Sequence, residues 1–318
     1  MAAVEISGLT KRFGSLVAVD RMDLAIDREI FGLLGPNGSG KTTTVKMLTT
    51  LLAPTEGDAT ICGYSVTKNP LAVREQISYV PQDMAVDPKL TGRENVVFFA
   101  KVYGVPHPRE AADEALAMLD LAPRADDLVR TYSGGMRRRL ELAQALVHDP
   151  EVLFLDEPTI GLDVAGRRRI WEHIIALKNR GMTVFVTTHY MDEADRACDR
   201  VGIIDRGRVV ATDTPAALKA TVCRDIISIQ TDGTFPGELP EGVTPLGRTG
   251  DELRFEADKG EEAGLALSGA LTKAGMTVRS ISVRQPTLDD VFLALVGEPE
   301  EAEGFDARRF RRMLRRRG

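Results

Sequence analysis

A glycine-rich segment has the residue types that bind phosphate groups. It fits the P-loop pattern G-x-x-x-x-G-K-[ST] from Gly35 to Thr42. Glycines let the backbone curl so that successive N–H groups point at phosphate oxygens, and the positive end of a following helix adds to the attraction. Lys41 can then reach the β- and γ-phosphates of a nucleotide, and Thr42 can place its hydroxyl on Mg²⁺. Taken alone, the segment is also compatible with a plain glycine turn before a helix. The predicted nucleotide-binding residues here are Gly35, Pro36, Asn37, Gly38, Ser39, Gly40, Lys41, Thr42 and Thr43.

Two adjacent carboxylates supply the second half of a hydrolytic site. The apolar run that starts at Val152 ends in Asp156 and Glu157. Asp156 would hold Mg²⁺ through water, and Glu157 would polarise the attacking water as general base. On its own, the segment is equally a buried strand with solvated acidic residues at its end. The preceding P-loop makes the catalytic interpretation the stronger one.

Short β-rich runs precede these polar segments. Ile30–Leu34 enters the glycine-rich turn, Val152–Leu155 ends at the carboxylates, and Thr183–Thr187 is a third run of the same kind. Such runs are typical of buried strands that bring their C-terminal ends to a site. Together with the helical patterns between them, they predict an α/β domain with a largely parallel sheet over residues 1–220. Residues 91–149 have a helical pattern and predict an inserted helical subdomain.

The residues after 220 have a different character. We expect a small, separate α+β domain over residues 222–297, followed by a charged and flexible tail over residues 298–318. Thr287 is a predicted N-cap with Asp290 in the capping-box position. The predicted strands are Asp225–Gln230, Glu252–Glu256 and Met276–Val283, and the predicted helix between them is Glu261–Ala274.

Composition excludes several classes of protein. The 318 residues are 43% hydrophobic and 28% charged, as in globular proteins, and the net charge of −6 gives no general reason to expect nucleic-acid binding. No stretch approaches the ~18 consecutive apolar residues that a membrane helix needs. The N-terminus lacks the pattern of a secretory signal. Cys62, Cys198 and Cys223 are widely spaced, so we expect reduced thiols and no metal site.

A serine–glycine segment upstream of the carboxylates narrows the choice among nucleotide enzymes. The run from Tyr132 to Arg137 resembles the signature motif of ABC ATPases. Ser133, Gly134 and Gly135 match the residues that face phosphate in that family. Tyr132 and Met136 depart from the usual Leu and Gln, and Met136 removes one polar side chain from that contact.

Further segments resemble motifs of the same family, in the same order along the chain. Gln82 matches the glutamine that touches Mg²⁺ and lies near the membrane partner, and Asp163 matches the D-loop, where Ile160 replaces a small residue. His189 matches the histidine that contacts the γ-phosphate. Phe13 stands where an aromatic ring stacks on adenine, usually a Tyr. The resemblance covers residues 1–220 and implies a P-loop ABC ATPase core that binds ATP and Mg²⁺.

The family resemblance also implies partners. In ABC ATPases two cassettes pack head to tail, with ATP between the P-loop of one and the signature of the other. One chain here carries one complete set of motifs, so we expect an ATP-bound homodimer. The segment from Gln285 to Gly297 resembles the end of daunorubicin-resistance-type ATP-binding subunits. Those subunits pair with a separate multi-span permease and export drugs, natural products or lipids. We therefore expect a peripheral protein on the cytoplasmic side of the membrane, and no nucleic acid.

Alternatives remain open at this point. A soluble ABC protein that acts on ribosomes usually carries two cassettes, and an ABC-type DNA-maintenance ATPase inserts long coiled coils that do not fit here. A cassette that binds without turnover is disfavoured by the presence of both Glu157 and His189, whereas import is not excluded. The segment Arg308–Arg317 holds seven arginines around three apolar residues. It is a disordered tail or a helix that contacts an anionic membrane surface.

Overall fold

The computed structural model describes residues 2–222, 224–232 and 239–296. The chain divides into two compact units, and the division lies after Thr214. Sequence patterns put the boundary near residue 220, but the helix that begins at Pro215 packs against the last described helix of the second unit. The arginine-rich segment that was considered for membrane contact lies outside the described residues.

Strands and helices are numbered in chain order. The strands are β1 (Val4–Phe13), β2 (Leu16–Ile26), β3 (Ile30–Leu34), β4 (Glu56–Ile61), β5 (Tyr64–Ser65), β6 (Ile77–Val80), β7 (Val152–Asp156), β8 (Thr183–Thr188), β9 (Arg200–Asp205), β10 (Arg208–Asp213), β11 (Asp225–Thr231), β12 (Val243–Thr249), β13 (Glu252–Ala257) and β14 (Val278–Arg284). The helices are α1 (Lys41–Leu48), α2 (Pro70–Gln76), α3 (Gly92–Val102), α4 (Pro108–Met118), α5 (Gly134–Leu146), α6 (Val164–Asn179), α7 (Met191–Ala197), α8 (Pro215–Val222), α9 (Gly260–Lys273) and α10 (Leu288–Val296).

A six-stranded sheet forms the centre of the first unit. Its strand order is β10-β9-β3-β8-β7-β6. All neighbouring pairs are parallel except β10 with β9 at one edge. Strands β3, β7 and β8 are buried along their whole length, as expected for strands covered on both faces. The ring of Phe185 on β8 lies 5.5 Å from that of Phe31 on β3 and 5.6 Å from that of Phe154 on β7, measured between centroids. The prediction of an α/β core is confirmed.

A second sheet of the same unit was not predicted from the sequence. It is antiparallel and has the order β2-β1-β4-β5. Apolar residues of β1 and β2 alternate with exposed ones and join the same core as Phe31 and Phe154. The alternation in β1 is interrupted at Gly8, which has φ +57°, and the register with β2 shifts beyond Ile6. Because of this irregularity, the alternation of apolar and polar residues alone does not predict the strand.

Three helices form the segment between β6 and β7. Helix α3 starts with a capping box, in which Thr91 Oγ1 accepts from the Glu94 amide and Glu94 accepts from the Thr91 amide. Helices α4 and α5 pack with it. Helix α5 is buried over most of its length, from Arg138 onward, so it forms the inner helix of the three.

The second unit is an antiparallel sheet with helices. Its strand order is β12-β13-β11-β14, and α9 packs on β14, β11 and β13. Ile227, Phe255 and Leu267 lie in its core. The described strands include β12, which the sequence analysis missed because Pro245 and Gly247 interrupt its pattern. Thr287 and Asp290 exchange hydrogen bonds at the start of α10, as the predicted capping box requires.

Candidate active site

The predicted site residues follow four adjacent strands of the parallel sheet. Gly35 follows β3, His189 follows β8, Asp156 ends β7, and Gln82 lies just beyond β6. In the sheet these strands are neighbours in the order β3-β8-β7-β6. Since the carboxyl ends of parallel strands meet at one edge, the topology gathers all four segments there.

Tight backbone packing shapes the glycine-rich loop between β3 and α1. Gly40 has φ +110°, and a Cβ on it would lie 2.5 Å from the Ala18 carbonyl oxygen. A Cβ on Gly35 would lie 2.3 Å from the Ile204 carbonyl oxygen. The Ser39 amide donates to the Pro36 carbonyl oxygen at 3.2 Å, which closes the turn. A side chain at Gly35 or Gly40 would therefore clash with the backbone of a neighbouring segment.

Lys41 lies at the first position of α1 and is buried, with 5% of its surface exposed. Its Nζ donates to the carbonyl oxygens of Gly35 at 2.7 Å and Pro36 at 3.1 Å, and lies 3.6 Å from Glu157 Oε1. Burial lowers the pKa of Lys41, and the negative charges of Glu157 and Asp156 oppose this shift. The ammonium group thus lies beside Glu157, the predicted general base, and within the field of Asp156, the predicted metal ligand.

Thr187, on the neighbouring strand, orients both carboxylate residues. Its hydroxyl donates to Asp156 Oδ1 and accepts from the Glu157 amide at 3.1 Å. Glu157 has φ +47°, a conformation that costs non-glycine residues energy and that clusters at functional sites. Asp156 and Glu157 are 1% and 7% exposed. Their positions are therefore set by hydrogen bonds and backbone geometry together.

Glu157 is held from two sides. Its Oε2 lies 3.1 Å from His189 Nδ1, and its Oε1 faces Lys41. The His189 ring packs on Tyr190 with centroids 4.1 Å apart. His189 and Lys41 therefore fix the orientation of the Glu157 carboxylate from two directions.

Tyr79 lies on β6, which flanks β7 on the side opposite to β8, the strand that carries Thr187. Burial and then the charge of Asp156 raise the pKa of Tyr79 to about 12, so the phenol stays protonated. Asp156 therefore accepts a hydrogen bond from Thr187 on β8, and its charge acts on Tyr79 on β6.

Gln82 and Phe13 are exposed. Gln82 lies in the loop after β6, and Phe13 ends β1 with 49% of its surface exposed. Lys11 Nζ lies 5.3 Å from the Phe13 ring centroid. An exposed aromatic face is available for stacking on a planar base, as the resemblance implies, but no described contact tests either role.

The signature segment lies at the beginning of α5. Ser133 Oγ accepts from the Met136 amide at 3.3 Å, so the serine caps the helix. Tyr132 is buried, and its hydroxyl donates to the Arg124 carbonyl oxygen at 2.6 Å. This internal contact accounts for a tyrosine at that position. Within the described part of the chain, no hydrogen bond joins Ser133 to the loop of residues 35–42.

The D-loop lies beside the signature segment. Asp163 caps α6 by accepting from the Gly166 amide at 2.7 Å. A Cβ on Gly134 would lie 3.6 Å from Leu162, and one on Gly135 would lie 3.8 Å from Gly166. Ser133, Gly134 and Asp163 are exposed, so the two motifs present a shared surface.

The residues present suit a magnesium ion bound together with a nucleotide. Among the described residues, no group of three or more His, Cys, Asp or Glu side chains is arranged to hold a metal. Mg²⁺ commonly takes one or two protein ligands and completes its shell with phosphates and water. Asp156 and Thr42 offer such a partial set beside the loop. The Ser39 hydroxyl, in the same glycine-rich loop, is buried and has no hydrogen-bond partner among the described residues, so it is available to a bound polar group.

Three residues of this region were not singled out from the sequence. Thr187 donates to Asp156, the charge of Asp156 raises the pKa of Tyr79, and Arg138 on α5 donates to the Asp156 carbonyl oxygen at 3.2 Å. Thr187 is a polar residue near the end of the buried strand β8, and that position is a signal that could have indicated it. Arg138 lies in a run of three arginines, which reads as an exposed charged face, so the sequence offers no signal for its burial.

Comparison with known proteins gives matches for both units. The family described as ABC transporter matches residues 19–160, and the family described as ATP-binding protein DrrA1-3-like, C-terminal domain, matches residues 214–296. A daunorubicin resistance ATP-binding protein of Streptomyces coeruleorubidus is 42% identical over 93% of this chain and 96% of its own length. A linearmycin resistance ATP-binding protein of Bacillus subtilis is 35% identical over 92% and 98%.

A third relative and two solved structures extend the comparison. A Nod factor export ATP-binding protein of Sinorhizobium fredii is 39% identical over 93% of this chain and 86% of its own. A subunit of the cbiONQ transporter complex from Clostridium perfringens has a TM-score of 0.65 at 27% identity, covering 69% of this chain and 91% of its own. A dimeric cassette in a post-hydrolysis state, bound to ADP and Pi, has a TM-score of 0.60 at 28% identity, covering 66% and 98%.

Proposed function

Because the chain belongs to the ATP-binding subunits of ABC transporters, in the group related to daunorubicin-resistance proteins, we propose that it hydrolyses Mg-ATP as the motor of an export system. The identity to curated members over nearly the whole chain supports the family. We propose in addition the reaction, the partner proteins and the direction of transport.

In the proposed reaction, Glu157 polarises a water molecule that attacks the γ-phosphorus. The new P–O bond forms as the bond to the bridging oxygen of ADP breaks, and the products are ADP and inorganic phosphate. Lys41 binds the β- and γ-phosphates, and His189 orients Glu157 and contacts the γ-phosphate. A bound Mg²⁺, held by Thr42, Asp156 and Gln82, would neutralise developing phosphate charge.

One observation carries this proposal. The Glu157 carboxylate lies between Lys41 Nζ at 3.6 Å and His189 Nδ1 at 3.1 Å, beside a glycine loop of P-loop sequence. A base, a phosphate-binding cation and an orienting imidazole are the groups that phosphoryl transfer to water needs. The strained φ of Glu157 is consistent with selection for that position.

We propose that two copies of the chain close around two nucleotides. The exposure of Ser133, Gly134 and Asp163 supports this, since those residues make no described hydrogen bond to the P-loop of their own chain. The dimeric relative bound to ADP and Pi supports it as well. Nucleotide would then shift the population from open to closed dimers, and hydrolysis would reverse the shift.

The exported substrate class is proposed as a drug, natural product or lipid, carried by a separate permease. The named relatives confer resistance to daunorubicin or linearmycin, or export Nod factor, and this range supports the class. None of the described helices is long and apolar enough to cross a membrane. We propose that the subunit lies on the cytoplasmic face of the cell membrane, bound to that permease.

Two measurements test the proposal. Purified chain should release phosphate from Mg-ATP, and Glu157→Gln should bind ATP without turnover. That variant, with ATP, should also recover a stoichiometric multi-span membrane protein from detergent-solubilised native membranes. Recovery of ribosomes with no membrane chain would support the soluble alternative and overturn the export role. Absence of ATP binding by the wild-type chain would overturn the ATPase assignment itself.

A further inference from the structure

Arg138, on helix α5, is buried and directs its guanidinium group at several backbone carbonyl groups. The side chain is 3% exposed. Nε donates to the Pro158 carbonyl oxygen at 2.9 Å, and Nη2 donates to that of Asp156 at 3.2 Å. These two carbonyl groups flank Glu157 in sequence. Arg138 therefore contacts the backbone on both sides of the proposed catalytic base.

The same guanidinium group also contacts the loop that carries Gln82. Nη1 donates to the Pro81 carbonyl oxygen at 2.7 Å and to Glu141 Oε2 at 3.0 Å. Glu141, one turn along α5, accepts from the Ala85 amide at 2.6 Å through its Oε1. Arg138 and Glu141 together thus bind both ends of the segment from Pro81 to Ala85.

We propose that Arg138 is a positioning residue, which fixes the Gln82 loop relative to Asp156 and Glu157. The same contacts hold these segments against α5, the helix that the signature serine caps. The proposal rests on the proposed ATP hydrolysis. It adds a residue that touches neither nucleotide nor metal and acts through the backbone of those that do.

The geometry explains why an arginine is needed. A planar guanidinium offers five N–H donors in a fixed fork, so it can hold several acceptors from different segments at set directions. A lysine at this position would retain the charge but present one compact ammonium group, which cannot reach the Pro81, Pro158 and Asp156 carbonyl groups together. Ser133 caps α5, which begins at Gly134, so a shift of the signature segment would move Arg138 with it.

The adjacent arginine offers a matched control. Arg139 is 7% exposed, and its Nη1 donates to the carbonyl oxygens of Leu119 at 2.9 Å and Asp120 at 3.4 Å. It shares the helix, the residue type and the burial of Arg138, but its partners lie just after α4, away from the catalytic segments. Arg138→Lys and Arg139→Lys therefore differ mainly in which backbone segments are released.

The first readout is steady-state hydrolysis by the full-length chain. We expect Arg138→Lys to lower kcat roughly 10- to 100-fold, the range typical of supporting residues around a metal site. KM for Mg-ATP should rise by about tenfold at most, because the weakened Mg²⁺ contact lowers the affinity while the phosphate and adenine contacts are untouched. Arg139→Lys should keep kcat within about twofold of the wild type. Equal kcat values for the two variants would overturn the proposal.

The second readout does not depend on turnover. Binding of a fluorescent ATP analogue is measured with EDTA and again with saturating Mg²⁺. Arg138→Lys should match the wild type in EDTA, while the gain in affinity on adding Mg²⁺ should shrink roughly tenfold, because Gln82 and Asp156 are the proposed metal ligands. An unchanged gain would contradict the proposal, since a purely structural role leaves it intact.

A further variant covers the case in which Arg138→Lys does not fold. Arg138→Met combined with Glu141→Leu replaces the buried ion pair by apolar side chains, an exchange that is often neutral for stability. We expect this variant to fold and bind ATP in EDTA but to hydrolyse slowly. Wild-type turnover in it would overturn the proposal. If the wild type neither binds nor hydrolyses ATP, the proposed function is wrong. If the wild type hydrolyses ATP and the Arg138 variants hydrolyse it equally fast, the proposed function stands and only the role of Arg138 is wrong.

Discussion

Buried polar groups are distributed unequally between the two units. In the first unit, the buried set includes Lys41, Arg138, Glu141, Asp156 and Glu157. In the second unit, Thr231 is the one buried polar residue among those the structure describes. Burying a charge costs free energy unless partners compensate, and the proposed ATP hydrolysis accounts for the buried charges of the first unit.

Strained backbone conformations, like buried charges, are found in the first unit. Non-glycine residues with positive φ occur only in the first unit within residues 2–222, 224–232 and 239–296, and Glu157 is one of them. In the second unit, the described positions with positive φ are glycines, at 242, 247, 250 and 275. Its ion pairs, such as Lys259 with Glu262, are largely exposed. The second unit is thus built from locally favourable elements, and strain is concentrated in the cassette.

The largest expected effect concerns the strained and buried base. We expect Glu157→Gln to lower kcat for ATP hydrolysis by about 10²- to 10⁴-fold, because the amide cannot accept a proton. Stability should fall, because buried Lys41 loses its ion-pair partner, although the neutral amide is itself less costly to bury. Phosphate release and thermal unfolding measure the two quantities. Glu172→Gln on the exposed face of α6 is the control, and a comparable loss of activity there would show that the effect is not specific to the base.

The second prediction tests whether the units are independently stable. Phe255 is 2% exposed in the core of the second unit. We expect Phe255→Ala to destabilise that unit by about 3–5 kcal/mol, through lost burial and a cavity. Amide hydrogen exchange in β11 and β13 should then accelerate. Trp171, the single tryptophan, reports the first unit, and its fluorescence transition should not move.

The control for this substitution is Leu265→Ala, at a side chain that is 76% exposed on α9. We expect it to leave exchange in β11 and β13 within experimental error. A shift of the Trp171 transition as large as the loss in the second unit would contradict independent cores.

The third prediction concerns the hydroxyl that orients both carboxylates. Thr187→Val removes a donor to Asp156 and an acceptor of the Glu157 amide. We expect kcat to fall roughly 10- to 100-fold and stability to fall by about 1–2 kcal/mol. The matched control is Thr183→Val at the start of the same strand, where the hydroxyl accepts from the Arg28 amide at 3.1 Å. It should lose similar stability but keep its kcat, so equal activity loss would exclude a specific role for Thr187.

Local sequence patterns predicted those strands and helix starts in which the apolar residues form one uninterrupted run or the residues form one contiguous motif. β3 agrees with its predicted bounds, β7 and β8 extend one residue beyond theirs, and the capping box at Thr287 is present. These features depend on neighbouring residues, so a short window contains the information. Strands β1 and β12 were missed because Gly8, Pro245 and Gly247 interrupt their alternation.

The site was predictable in its residue types but not in its supporting contacts. The P-loop, the carboxylates and His189 were found because each motif is contiguous in sequence. Arg138 reaches Pro81 across 57 positions and Asp156 across 18, and these contacts follow from packing of α5 against the sheet. A run of arginines does not indicate which of them the fold will bury. Tertiary packing decides which arginine is buried, and a short stretch of sequence does not contain this information.

The smallest expected effect lies in the unit with few buried charges. Asp290 caps α10 and pairs with Arg284 at 2.6 Å. Burial alone would raise the pKa of the Asp290 carboxyl, but hydrogen bonds from Arg284 and Thr287 lower it to about 2, below the ordinary value of 3.8. A lowered folded-state pKa stabilises the fold above the unfolded-state value, and this contribution is lost as pH falls from about 4 toward 2.

We therefore expect Asp290→Asn to destabilise the second unit near neutral pH by about 1 kcal/mol, a figure reduced for the partly exposed Arg284 partner. Amide exchange in Leu288–Val296 should be faster than in the wild type at about pH 5, and the difference should shrink toward pH 3. Glu262→Gln, at an exposed pair on α9, should change nothing measurable at either pH. A difference that grows on acidification would mean that the ionised carboxylate is not what stabilises this helix start.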